Sequence, residues 1–274
     1  MKRVICRGLF ALSLLGPRAA LAEPQPERGY GLPRDVSLDG HRIDWLIHFT
    51  IIALSLVFLV VFAALLYAAW RHRGKHVAAY DHGNTRKSAF LVLACVAVVF
   101  FVIDGNLFVH SVGDLDSHFW NFAGAEANPR VVRVEVNAHQ WAWIFRYAGP
   151  DGEFNTPDDI VTLDELHVPL GVPVVLQLAS TDVIHSFYLP NFRVKQDAVP
   201  GSITRLWFQG QEAGDFEIGC AQHCGPNHYK MRAVLSVMKP EAYEQWRAAA
   251  LADARRGYDP DDKDAHWGWP WKRD

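Results

Sequence analysis

Gly219-Cys220-Ala221-Gln222-His223-Cys224-Gly225-Pro226-Asn227-His228-Tyr229-Lys230-Met231 is the stretch from which the rest of the chain is read. Cys220, Cys224, His228 and Met231 follow one another at spacings of four, four and three. Thiolate, imidazole and thioether are soft or borderline donors, which select copper, zinc or iron–sulfur chemistry and reject magnesium and calcium. A thioether beside His and Cys marks copper that moves electrons, because structural zinc sites are built from Cys and His. Such a loop needs a rigid frame to project from.

The flanking sequence supplies one. Val132, Val134 and Val136 alternate with Arg133 and Glu135, the period of a half-buried strand. Residues 161–168, 174–178, 203–208 and 233–238 are further strand candidates, bounded by Gly, Pro, Asp or Asn. Several short strands without a long helical period between them predict a β-sandwich or barrel. Pro240 to Arg256 reads as an Ala-rich charged helix, followed by a tail carrying Trp267, Trp269 and Trp271.

Three motifs lie within this frame. Gln140-Trp141-Ala142-Trp143 follows the first strand; each indole is either core or an exposed contact beside a redox centre. Asp182-Val183-Ile184-His185-Ser186-Phe187-Tyr188 places a His after a β-branched run, and His185 is the nitrogen that a two-metal loop would still need. The acidic turn from Asp151 to Asp159 lacks the EF-hand spacing, so an ordinary solvated hairpin is expected there rather than a calcium site. Between residues 111 and 239 Asp and Glu outnumber Lys and Arg by 15 to 9. That balance attracts basic partners and argues against nucleic-acid binding.

The first 110 residues hold three apolar blocks. Residues 1–22 read as a signal peptide: Lys2, Arg3 and Arg7, a short apolar core, then Ala20-Leu21-Ala22 as a cleavage site. Residues 23–43 follow outside the membrane. The block Trp45–Trp70, 26 residues without fixed charge, exceeds the roughly 20 needed to span a bilayer, which sets a helix at 44–70. The third block has 16 uncharged residues from Ser88 to Ile103, so its helix must run on past Asp104 to about residue 110. Asp104 then lies near one membrane face, where an interfacial carboxylate is favoured over a proton relay or a contact with another subunit. Arg71, Arg73, Lys75, Arg86 and Lys87 against Asp81 make the loop 71–87 cytoplasmic. Both mature termini, and everything from residue 111 onward, are therefore expected outside the cytoplasm, on a two-pass plasma-membrane anchor in contact with lipid.

Four Cys in 274 residues exclude a disulfide framework, and Cys6 and Cys95 lie in apolar segments. There is no Cys-x-x-Cys-His, hence no covalently attached c-type haem. Two Cys four apart have three uses: a disulfide, a zinc site, or bridging thiolates between two coppers. Zinc leaves Met231 unexplained; a disulfide leaves His185, His228 and Met231 unexplained. Paired coppers employ all of them, and a backbone carbonyl of the tight loop can add a weak axial ligand.

The blocks 138–143 (AHQWAW), 182–201 (DVIHSFYLPNFRVKQDAVPG) and 220–231 (CAQHCGPNHYKM) resemble subunit II of haem–copper cytochrome c oxidases. The resemblance runs from about residue 40 to 239. It implies a two-helix transmembrane hairpin joined to an all-β cupredoxin-like Greek-key barrel with a dinuclear copper (CuA) centre. The implied ligands are His185, Cys220, the Gln222 carbonyl, Cys224, His228 and Met231. Trp141 would receive electrons from cytochrome c docked on the acidic surface and pass them by way of the copper to haem in subunit I. There oxygen reduction would be coupled to proton pumping. Gln222 stands where the family commonly has a Glu that helps bind magnesium at the subunit I boundary; Gln keeps the carbonyl and lacks the charge. The family's proton-path Glu at the cytoplasmic start of the second helix has no counterpart among Thr85, Arg86 and Lys87, and Ser202 replaces a common Arg. Competing readings are the copper subunit of a nitric oxide reductase and, in another class, a membrane-tethered copper chaperone or thiol-redox protein.

Overall fold

The computed structural model describes residues 31–257 apart from 75, 76, 78, 79 and 81. The signal-peptide reading, the Trp-rich tail and part of the loop 71–87 lie outside the described residues. The first 34 residues form a unit separate from residues 35–274, which hold every element below.

Helix α1 (Gly40–Arg71) is apolar on all sides and exposes its large side chains along its length. A helix with no polar stripe suits lipid or neighbouring membrane helices. The second helix starts at α2 (Arg86–Val98), where Thr85 Oγ1 caps the Ser88 N–H at 3.1 Å. It continues through a π-helical stretch (Val99–Asp104), α3 (Gly105–Asp114) and a second π-helical stretch ending at Phe119. The helical backbone thus runs on past residue 110 to Phe119, toward the β-domain. Both helices are long and apolar enough to cross a membrane. A short α4 (Phe122–Glu126) leads into the strands.

Among the described residues, ten strands form two five-stranded sheets. The first has the order β3-β2-β1-β5-β8, with β1 (Val132–His139), β2 (Ala142–Tyr147), β3 (Ile160–Leu163), β5 (Pro173–Ser180) and β8 (Thr204–Gln209). The second has the order β4-β10-β9-β6-β7, with β4 (Glu165–Pro169), β6 (His185–Leu189), β7 (Val194–Ala198), β9 (Gly214–Cys220) and β10 (Arg232–Met238). The pairs β1–β5 and β4–β10 are parallel; the remainder are antiparallel. Val134, Val136, Phe145, Leu176 and Leu178 of the first sheet meet Leu166, Phe187, Leu189, Ile218 and Leu235 of the second in one buried cluster. This is the cupredoxin-type arrangement expected of the all-β domain. The continuous strand expected at 161–168 is two strands, broken at Asp164. That residue takes φ 55°, and its carboxylate accepts the Trp143 N–H at 2.8 Å. Helix α5 (Pro240–Gly257) closes the described chain.

The domain is tied to its anchor by charge. Arg193 grips Asp44 of α1 in two contacts of 2.6 and 3.0 Å, a bidentate pair. Trp207 of β8 donates to the His118 carbonyl at 3.0 Å, and Arg42 bonds Asp114 at 3.2 Å between the two helices of the anchor.

Candidate metal centre

The order of the second sheet assembles the site. Strands β10, β9 and β6 lie side by side, with Phe187 opposite Cys220 and Arg232 opposite Gly219. His185 at the start of β6, Cys220 at the end of β9 and Met231 just before β10 therefore meet at one end of the sheet. The segment from Ala221 to Lys230 loops over them.

Six expected donors converge. The Cys220 and Cys224 sulfurs lie 3.8 Å apart. His185 Nδ1 stands 4.0 Å from Cys220 Sγ and 3.1 Å from Met231 Sδ. His228 Nδ1 is 3.5 Å from Cys224 Sγ, and Met231 Sδ is 3.7 Å from the same sulfur. The Gln222 carbonyl oxygen sits 3.2 Å from Cys220 Sγ. Metal–ligand bonds of about 2.0–2.3 Å place donors on one ion roughly 3.3–3.8 Å apart, so this spacing suits ions shared among the set. A thioether gives no hydrogen and accepts weakly, so a buried imidazole nitrogen aimed at it is poorly served by hydrogen bonding. The donor set fits soft cations better than it fits itself.

Charge acts unevenly on the two thiols. Burial opposes the Cys220 thiolate, but hydrogen bonds involving His185, the Ser186 and Gln222 backbone and His228 prevail and hold its pKa down at about 6. Burial and the neighbouring Cys220 charge push Cys224 up to about 12. Burial works against protonated His185, yet its contacts with Cys220 and Asp182 raise its pKa.

Asp182 was not singled out by spacing. Its carboxylate accepts from His185 Nε2 at 2.8 Å, from the Gln140 N–H at 2.6 Å and from the Val183 N–H at 2.6 Å. Holding the Nε2 proton fixes the tautomer that leaves Nδ1 free to ligate. The recognisable signal was an acid three residues before the His, in the same loop. Gln140 and Gly225 were missed as well. Gln140 Nε2 and Trp141 Nε1 both donate to the Cys224 carbonyl, at 2.7 and 3.2 Å. Gly225 has φ +120°, and a Cβ there would come 2.9 Å from Gln140 Nε2 and 3.2 Å from the Trp141 ring.

The two tryptophans of the QWAW motif differ in burial. Trp143 is fully buried, edge-on to Phe187 with ring centres 5.4 Å apart and 6.1 Å from His185. Trp141 is half-buried against the metal loop. In the acidic turn Asp159 accepts the Asn155 N–H at 2.5 Å and faces Arg146 at 3.6 Å. Asp104, the other carboxylate singled out, is exposed on the second helix, away from the site.

The family described as "Cytochrome C oxidase subunit II, periplasmic domain" matches residues 132–238. The chain is similar to the alternative cytochrome c oxidase subunit 2 of Bradyrhizobium diazoefficiens, with 31% identity over 229 residues, 74% of this chain and 78% of that one. Cytochrome c oxidase subunit 2 of Cereibacter sphaeroides is 29% identical, with 90% of each chain covered. Among solved structures, the periplasmic domain of subunit II of cytochrome oxidase from Bradyrhizobium japonicum covers 44% of this chain and 94% of its own, with 26% identity and a TM-score of 0.40. Two membrane-length helices and a periplasmic-type domain make this a membrane protein with an extracytoplasmic β-domain. The chain belongs to the cytochrome c oxidase subunit II family.

Proposed function

We propose that the chain is the electron-accepting subunit of a proton-pumping cytochrome c oxidase, holding two coppers between Cys220 and Cys224. His185, His228, Met231 and the Gln222 carbonyl complete the set. The observation that carries this reading is the convergence of those six donors at one end of the second sheet. Bound copper would supply one-electron transfer with little change of geometry. The chain's own residues do the rest. Asp182 orients His185, the β-frame keeps the sulfurs apart, and burial of Met231 and Cys224 excludes water from the inner side.

Trp141 would be the port for incoming electrons. It is partly exposed and linked through its indole N–H to the carbonyl of a proposed copper ligand. Cytochrome c, a basic partner, would dock on the acidic surface of the domain. Electrons would leave for haem in subunit I, with two membrane passes and both mature termini outside the cytoplasm. The exposed Gln222 side chain brings no charge, so any magnesium ion at the subunit I boundary would be held weakly.

The test is electron paramagnetic resonance of the copper-loaded complex. One unpaired electron shared over two copper nuclei is the expected result. A four-line mononuclear spectrum, or zinc in place of copper, would overturn the dinuclear reading. Trp141→Phe should slow reduction by cytochrome c and leave the copper content unchanged; loss of copper would instead make Trp141 a packing residue.

A further inference from the structure

The end of the β-domain far from the metal holds a cleft of about 550 Å³ between the start of β1, the end of β2 and the first turns of α5. That volume falls within the range of built binding sites. Its aromatic wall is Tyr147, Tyr243 and Trp246, with ring centres 5.4 and 5.5 Å apart. Its cationic wall is Arg130, Arg133 and Arg247. Elsewhere in the domain Arg146, Arg193, Arg205 and Arg232 each face a carboxylate, and Arg247 has Glu244 at 3.5 Å. Arg130 and Arg133 make no ion pair among the described residues. Two guanidinium groups without an ion pair thus stand beside an aromatic floor, and the two glutamates of the lining, Glu126 and Glu244, face Arg205 and Arg247 instead.

We propose that this cleft is the docking site for the chain's own C-terminal segment, residues 258–274. The segment has the complementary chemistry. Asp259, Asp261, Asp262 and Asp264 come first, with a single Lys263, and Trp267, Trp269 and Trp271 follow. Its acidic half is repelled by most of the domain surface and attracted to the arginines of the cleft. Its indoles match an aromatic wall, where offset or edge-on pairs add to burial.

The reach is sufficient. Arg247 lies ten residues before Gly257, so α5 carries the chain about 15 Å away from the cleft. Seven extended residues from Tyr258 return up to about 23–25 Å. That length is enough to bring the tryptophans to the cleft. One wall of the cleft is the linker from Glu126 to Val132 that joins the second helix to β1. A docked tail therefore braces the joint between anchor and domain, at the opposite end of β1 from Trp141.

The experiment uses the full chain in its membrane complex, with the photoreactive residue p-benzoylphenylalanine replacing Trp269. Irradiation is expected to join position 269 to the 128–133 or 243–247 peptide of the same chain, mapped by mass spectrometry. R130E with R133E should lower that product about tenfold, and adding D261K with D262K should restore it. D261K with D262K alone, which leaves the folded domain untouched, should lower it as well. An unchanged copper spectrum reports that each variant is folded. Cross-links to another subunit would assign the cleft to a partner and overturn the proposal. No product at the cleft, or a product indifferent to charge reversal, would also overturn it.

Discussion

The two ends of the β-domain are held by different physics. At the metal end, two cysteines, two histidines and a methionine face one another with few hydrogen bonds of normal strength among them. At the anchor end, eight residues on from His185, Arg193 clasps Asp44 with two short contacts and Arg42 reaches Asp114. The first end is arranged for something it must bind; the second is complete without a ligand. His185 opens β6 and Arg193 follows the turn after it, so a single strand connects them. The lesson is that this frame isolates a soft, ligand-dependent site from a hard, self-sufficient joint.

If the ends are independent, damage to one should spare the other. The largest effect is expected from Cys224→Ser. It should abolish the dinuclear copper signal in electron paramagnetic resonance while the complex still assembles through the Arg193–Asp44 joint. Failure of assembly would break the comparison. Next, Arg193→Ala strands a largely shielded carboxylate and should cost about 2–4 kcal/mol, read as a lower midpoint of thermal unfolding. Its copper spectrum should be that of the parent, and a changed spectrum would couple the ends.

A smaller effect is expected from Asp182→Ala, which removes the acceptor from His185 Nε2 and frees the ring to turn. Copper affinity should fall about 10–100-fold by chelator competition, with the unfolding midpoint little changed. The smallest is a matter of rates. After copper is stripped, alkylation of Cys220 should rise as pH passes through about 6, because the thiolate is the reacting form. Cys224, pushed up to about 12 and buried, should remain unmodified across neutral pH. Equal reactivity of the two thiols would show that the asymmetry of the site is not electrostatic.

The metal end was largely legible in the sequence because its donors are bunched within twelve residues, with His185 the one outlier. Chemistry so dense leaves few alternatives. The anchor end was not legible, since Asp44 and Arg193 stand 149 residues apart and nothing local pairs them. Among the strands, β1, β5, β8 and β10 announced themselves through runs of Val, Leu and Phe. β7 (Val194–Ala198) did not, because an edge strand with Lys195, Gln196 and Asp197 carries no apolar alternation. The break at Asp164 was hidden by the apolar residues that recur before and after it, Val161 and Leu163 then Leu166 and Val168, and the left-handed backbone at that position reveals it.

Gly225 has a consequence for anyone wishing to move the site elsewhere. The twelve residues from Cys220 to Met231 look like a self-contained cassette. Yet the chain at Gly225 passes so close to Gln140 and Trp141 that any side chain there would collide with them, and the Cys224 carbonyl takes its two N–H donors from the same pair. A graft onto another β-scaffold that carried the loop alone would leave that carbonyl unserved and the loop's path undetermined. The transferable unit is the loop together with the turn between β1 and β2, two pieces of chain drawn from opposite sheets.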